Sequence, residues 1–383
     1  MSGMELVGRR QWNKWSVHAT PRPLRLRMQR PTFFTFPPIR PSMMKNLPAL
    51  VREKFKAAQA AGDLNFYATQ VAIVQVNSFP FQLRYSPALA HKPKSSKPRD
   101  PNQKPPNPFL NPSQLLVCEL APAHNIVLNK FPVIPDHFIL ATKEFKKQTD
   151  LLEEADFEAA YNCLKAYKDE GEELFGFFNS GEHSGASQPH RHIQFLPVQS
   201  MRSGLTQGTW RPLVGHLVDK TVSVSRNRES APLTLADLPF VYFSAALSPT
   251  ISSSELHSTY LRLHQDACRI VEIDTSNKEL ASGGDDESRI SYNLGLTDKS
   301  MVLCPRISEG LSITGANGDL LGPIALNGTL LAGTLLVKSQ AEWEAVQKNE
   351  RILVDVLKAI GVPPKSPKDD SVKDSHNIKG VKI

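Results

Sequence analysis

Ser187-Gln188-Pro189-His190-Arg191-His192-Ile193-Gln194 is strand sequence, with alternate side chains on alternate faces. His190, His192 and Gln194 therefore share one face, and Arg191, Ile193 and Phe195 take the other. Immediately before it, Asn179-Ser180-Gly181-Glu182-His183-Ser184-Gly185-Ala186-Ser187 is a run of small, turn-forming residues. Loops of this kind aim backbone N–H groups at an anion. Two imidazoles and an amide beside an anion cradle are the equipment of nucleotidyl transfer.

Outward from this stretch, helices and strands alternate irregularly. Leu47, Leu50, Val51, Phe55 and Ala58 keep helical spacing up to Gly62, and Phe66–Val76 reads as a strand. The stretch from His91 to Pro112 is crowded with Pro, Lys, Asn and Asp, and reads as a long loop. Leu115–Leu120, Ile126–Leu128 and Phe138–Ala141 are strand pieces separated by turn signals. A helix follows, with Asp150 and Glu153 as a capping box and Gly171 as its stop. Leu174–Phe178 is a short strand leading into the loop and the histidines.

The second half predicts a strand over Phe240–Leu247 and a helix over Ser254–Ile273. A polar loop follows over Ser276–Glu287, then strands at Ile290–Leu296, Met301–Cys304 and Leu330–Leu336, and a closing helix at Trp343–Ile360. Strands, helix, strand, loop and strand in this order predict an α+β fold around an antiparallel sheet. Four units are expected: a basic leader over 1–42, a half carrying the histidines over 45–215, a second half over 216–362 completing the site, and a disordered tail over 363–383.

The net charge of +7 is unevenly placed. Of 45 basic and 38 acidic residues, eight and one lie before Met43, which leaves 37 of each for the remainder. A neutral body argues against a nucleic-acid partner. The leader is rich in Arg and poor in acid, as a mitochondrial presequence is, but its prolines would break an amphipathic helix. An over-extended reading frame starting truly at Met43 or Met44 is the plainer account, and it leaves the cytoplasm as the expected compartment, with the nucleus besides. No uninterrupted apolar run approaches the roughly 18–20 residues of a membrane span. Four scattered cysteines without a CxxC pair suggest neither a disulfide framework nor a zinc knuckle.

Neutral imidazole is a good phosphorus nucleophile near pH 7. Fixed donors must hold the charge of the phosphoryl group under attack, and Ser184, Ser187 and nearby N–H groups could do so beside His192. Gln194 adds a neutral donor that holds an oxygen without moving a proton. The same two histidines could instead be a structural pair, or bind a metal with His183 or Glu182, although no familiar ligand spacing completes that site.

His190-Arg191-His192-Ile193-Gln194 resembles the His-x-His-x-Gln motif of the nucleotidyltransferase branch of the histidine-triad superfamily. The string Asn179 to Gln188, Lys92 before the Pro-rich loop, Leu128-Asn129-Lys130-Phe131-Pro132-Val133 and Ser291-Tyr292-Asn293-Leu294 resemble the fungal diadenosine tetraphosphate phosphorylases, or ATP adenylyltransferases. The resemblance implies a histidine-triad/uridylyltransferase-like antiparallel sheet with packed helices. It implies that His192 becomes adenylylated, that Gln194 contacts the transferred phosphoryl group, and that His190 orients its neighbour. It implies a phosphate loop of Ser184, Gly185, Ala186 and Ser187, and nucleotide contacts at Asn129, Lys130 and Asn179. Lys92 would meet the polyphosphate, and Asn293 with Lys299 the other nucleotide. The partners would be diadenosine tetraphosphate, ATP, ADP and inorganic phosphate, with Mg²⁺ or another divalent cation accompanying the polyphosphate and adenylyl exchange with ADP-sulfate as a side reaction. A monomer is implied. Hexose-1-phosphate nucleotidyl transfer by the same route and a nucleotide-binding protein with a spent site stand as the alternatives.

Overall fold

Leu47, Val51, Phe55 and Ala58 form the buried stripe of helix α1 (Leu47–Ala61), which stops at Gly62 as its spacing predicts. The protein is seen here as a computed structural model that describes residues 44–90, 107–120, 122–205, 210–225, 238–274, 287–315 and 317–364. The leader, Lys92 with most of its loop, the polar stretch 276–286 and the tail beyond 364 lie outside the described residues.

After α1 come strands β1 (Gln70–Val76) and β2 (Phe79–Tyr85), then β3 (Leu116–Leu120), β4 (His124–Leu128) and β5 (Phe138–Thr142). Helix α2 (Glu154–Asp169) leads to β6 (Leu174–Ser180) and β7 (His192–Pro197). Helix α3 (Leu213–Ser225), strand β8 (Phe243–Ala246) and helix α4 (Ser253–Asp274) follow. Strands β9 (Ser291–Leu296), β10 (Ser300–Arg306), β11 (Gly310–Thr314), β12 (Leu320–Ala325) and β13 (Thr334–Val337) precede helices α5 (Gln340–Lys348) and α6 (Arg351–Ile360). No helix among the described residues is long and apolar enough to cross a membrane.

Eight strands form one sheet in the order β3-β4-β5-β7-β6-β9-β10-β8, with every neighbouring pair antiparallel. The expected α+β class holds. Residue 216, taken as the start of a second half, lies inside α3, and β9, β10 and β8 extend the sheet begun by β3–β7. Alternation sorts the sheet into two faces. Phe138, Phe178, Ile193, Phe195 and Tyr292 point into a core shared with α1, α2 and α4, where the Phe138 and Phe195 rings stack at 5.1 Å. Phe175, Phe177, Leu196, Val302 and Cys304 point the other way, into a core with β1, β2, β13, α3 and α6. Each fully buried aromatic contributes about 1.5–3 kcal/mol through the water it leaves.

Several sequence expectations need correction. β1 starts at Gln70 rather than Phe66, because Asn65 and Tyr67 donate instead to the Lys130 and Pro132 carbonyls. Leu330–Leu336 is not a continuous strand: Gly328–Ala332 is a 3₁₀ turn, and β13 begins at Thr334, parallel to β2. The closing helix is two helices, because Asn349 adopts an extended backbone and its side chain caps the Arg351 N–H. The capping box of α2 lies one turn later than read, between Glu153 and Asp156.

That displaced box serves a buried ion cluster. Arg191, only 3% exposed, places its guanidinium 2.8 Å from Glu153, 3.0 Å from Asp156 and 3.5 Å from Asp150. The other Asp156 oxygen lies 2.7 Å from His124 Nε2. Burial alone would raise the Asp156 pKa, but the hydrogen bonds from His124 and the Glu153 N–H, with Arg191, outweigh it and hold the carboxyl below its usual value. The stability Asp156 contributes is therefore present at neutral pH and lost as pH falls through that depressed value. Asp156→Ala should cost about 3–5 kcal/mol, since it strands a buried cation. Urea unfolding checks this, and a loss below about 1 kcal/mol, as at a surface pair, would mean that Glu153 and Asp150 suffice.

Candidate active site

β7 begins at His192, and the face expected to carry the histidines is the one opposite α2. His190 precedes the strand in a single bridge to Lys147. The His192 ring nitrogen Nδ1 lies 2.8 Å from the His190 carbonyl oxygen. A carbonyl only accepts, so Nδ1 carries the proton and Nε2 keeps its lone pair. His190 is the opposite tautomer: Asn107 Nδ2 donates to its Nδ1 at 2.7 Å, and its Nε2–H meets Thr142 Oγ1 at 2.9 Å. Thr142 in turn donates to the Glu144 carbonyl at 2.8 Å. His190 is thereby fixed at both nitrogens.

Burial pushes His192 down to about 4, and lowers His190 as well. Both imidazoles are neutral at physiological pH. Phe109 covers them, its ring 5.1 Å from His192 and 5.4 Å from His190.

The small-residue loop connects β6 to β7 over the end of the sheet. Gly181 and Gly185 have left-handed φ values of 85° and 75°. A Cβ on Gly181 would stand 2.8 Å from Ser291 Cα, and one on Gly185 2.8 Å from Asn327 Cβ. Only glycine lets the loop lie so close to β9 and the β12–β13 connection. Beneath it, Asn179 Oδ1 accepts from Asn293 Nδ2 at 2.9 Å and the Gly328 N–H at 2.8 Å. Asn293 Nδ2 also reaches the Ser184 carbonyl at 2.9 Å, and Arg306 donates to Asn293 Oδ1. Asn179 and Asn293 thus tie the two halves of the chain together under the loop.

Beside the loop is a cavity of about 410 Å³. Of the residues singled out by sequence, Asn129, Gly185, Ser187 and Gln194 line it. Ser184 is fully buried and turned inward, where its hydroxyl donates to the Gly181 carbonyl at 2.6 Å and accepts the Ala186 N–H at 3.3 Å. Both groups brace the loop instead of facing the cavity. Lys130 is exposed over the Phe131 ring. Lys299 is not brought here: it sits in the β9–β10 turn, at the opposite end of β9 from Ser291, and lines a separate cavity with Arg211 and Asp298. Among the described residues no group of three or more His, Cys, Asp or Glu side chains is arranged to hold a metal ion.

A family model for the Ap4A phosphorylase N-terminal domain matches residues 40–208, and one for the ATP adenylyltransferase C-terminal domain matches residues 236–363. The chain belongs to the Ap4A phosphorylase family. Membership makes it a nucleotidyltransferase, an enzyme of the transferase class. Protein APA1 of Saccharomyces cerevisiae is 27% identical over 84% of this chain and 96% of its own length. Diadenosine 5',5'''-P1,P4-tetraphosphate phosphorylase 2 of the same yeast is 28% identical over 83% of this chain and 95% of its own length. The crystal structure of yeast Ap4A phosphorylase Apa2 has the same fold, with a TM-score of 0.66 at 24% identity over 84% of this chain and 99% of that one.

Two further cavity residues of this Ap4A phosphorylase family member escaped the sequence reading. His137 lies within turn signals, where a histidine carries no pattern; its Nδ1 accepts from Asn129 at 2.9 Å, and burial pushes it down to about 4. Arg84 on β2 is 2% exposed and, among the described residues, donates to neutral oxygens of Gln82, Thr69 and Met201. It reaches the cavity because β13 pairs with β2 far along the chain, a contact no local window reveals.

The depressed His192 value predicts that its imidazole nitrogens titrate in NMR with a midpoint near 4. A midpoint near the ordinary 6.5 would mean that the ring is solvated rather than covered.

Proposed function

We propose that this chain cleaves diadenosine tetraphosphate by phosphorolysis to ATP and ADP, through an adenylyl group carried on His192. The observation that carries the proposal is the tautomer of His192, whose Nδ1–H is held by the His190 carbonyl. That bond fixes the ring and leaves the Nε2 lone pair as the only nucleophilic electrons at the head of β7. The yeast relative named as a diadenosine tetraphosphate phosphorylase supports the choice of substrate.

In the first step the Nε2 lone pair attacks the α-phosphorus of one adenylyl end. The bond from that phosphorus to its bridging oxygen breaks, and ATP departs with the electron pair. The imidazole becomes cationic, and its charge is delocalised to Nδ1–H, where the His190 carbonyl receives it. Inorganic phosphate then attacks the same phosphorus, the N–P bond returns its pair to Nε2, and ADP leaves. The first step exchanges a phosphoanhydride for an N–P bond and the second exchanges it back, so the overall reaction trades one anhydride for another and can run in either direction.

Gln194, two residues along the same strand face, is the neutral donor to the equatorial oxygens of the transferring group. The loop of Gly185 and Ser187 takes the remaining phosphate charge beside it. Arg84 supplies a buried positive charge to the same cavity. Mg²⁺ or another divalent cation would enter on the polyphosphate itself, held by its oxygens. Lys92 is proposed to meet the polyphosphate, and Lys130, next to the cavity-lining Asn129, the nucleotide.

His192→Ala should lower ADP formation by a factor on the order of 10⁶, as removal of a covalent nucleophile does, while nucleotide binding persists. Incubation of the native enzyme with labelled diadenosine tetraphosphate and no phosphate should leave AMP on His192. Turnover by His192→Ala at the native rate, or a uridylyl adduct formed in preference, would overturn the proposal.

A further inference from the structure

The ladder between β6 and β7 stops early. Its pairs run from Leu174↔Pro197 to Phe177↔Gln194, so the next registers would bring Asn179 opposite His192. β6 nevertheless continues to Ser180, paired on its other side with β9, and β7 begins at His192, paired on its other side with β5. At His192 the two central strands have parted, and a gap opens between two peptide edges.

One side chain fills the gap. Gln148, only 3% exposed, accepts the His192 N–H on Oε1 at 2.8 Å. Its Nε2 donates to the His192 carbonyl at 3.2 Å and to the Asn179 carbonyl at 2.7 Å. The Gln148 backbone N–H is itself bound to the Pro189 carbonyl at 2.8 Å, so the residue is tied to the segment it serves. The amide plane stands in for the missing ladder bonds, its oxygen accepting one N–H and its NH₂ donating to two carbonyls.

We propose that Gln148 is a positioning residue for the His192 nucleophile; this rests on the covalent route proposed above. The His192 ring is oriented by the His190 carbonyl, so the aim of Nε2 is set by main-chain positions alone. Gln148 holds both main-chain polar groups of His192. It also keeps β6 and β7 far enough apart for the loop of Gly181 and Gly185 to leave the sheet between them. No charged side chain can replace it: a carboxylate offers no donor to the two carbonyls, and an ammonium no acceptor to the N–H.

A displacement of about 1 Å at a reacting atom costs roughly 10²-fold in rate. Gln148→Leu should therefore lower the single-turnover rate of His192 adenylylation by about 10²-fold, with the affinity for diadenosine tetraphosphate unchanged. Gln148→Glu carries an internal control. Its carboxylate would face two carbonyls, and protonation restores one donor, so its adenylylation rate should climb as pH falls while that of Gln148→Leu does not. Circular dichroism and a melting curve at each pH confirm that the folded enzyme is being compared. Adenylylation at the native rate in both variants would overturn the inference, as would a loss of affinity equal to the loss of rate. Parallel assay of His192→Ala separates the two ideas: an active His192→Ala removes the covalent route itself, whereas an inactive one beside normal Gln148 variants removes only the role of Gln148.

Discussion

Arg191 stands between two histidines and sends its guanidinium through to the helix side of the sheet, among Asp150, Glu153 and Asp156. That buried cation must be neutralised where it lies, since an unpaired charge in such a place would cost several kcal/mol. The carboxylates come from α2 and the turn before it, so the helix is locked to the strand at one register. The face on which His190 and His192 emerge follows without further choice. The small-residue loop, the cavity wall and the tautomers of both imidazoles all depend on that one register.

The two sides of this strand balance opposite demands. On the helix side charge is concentrated and compensated, with His124 completing the Asp156 carboxylate. On the other side charge is kept away from the imidazoles: they are neutral, covered by Phe109, and bonded to neutral partners. Neutral imidazole is the form that attacks phosphorus, and low dielectric surroundings preserve it. Arg84 and Arg306, both buried and lowered to about 10 by desolvation, bring positive charge near the cavity without a carboxylate within ion-pair distance among the described residues. An anionic substrate completes that arrangement.

What was legible in the sequence was periodic or local. The stripe of Leu47, Val51, Phe55 and Ala58, the two-residue alternation through His192 and Gln194, and the glycines of the loop each state their structure within a short window. The hairpin of β1 and β2 went unread because Asn77, with a left-handed φ of 53°, replaces the more telling glycine at its turn. The break at Asn349 was hidden by helix-forming neighbours on both sides. Ser184 carries a bond the sequence did not display: its hydroxyl, three residues after a positive-φ glycine, donates to the carbonyl of that glycine within its own loop. Gln148 and Arg84 could not be read locally at all. Gln148 acts through a gap between strands 31 and 44 residues away, and Arg84 through a strand from the far end of the chain.

The parallel pairing of β13 with β2 has a consequence for how the molecule comes into being. Thr334 meets Gln82 across 252 residues, and Thr334 lines the cavity together with Arg84, two residues on from Gln82. A growing chain that has completed β3 to β7 carries its histidines and the loop, yet lacks the β12–β13 segment that walls the cavity beside that loop. Closing so distant a contact is slow, because loop entropy must be overcome before the pairing rewards it. The cavity beside the loop is therefore complete only once the far end of the chain has been made and has found β2.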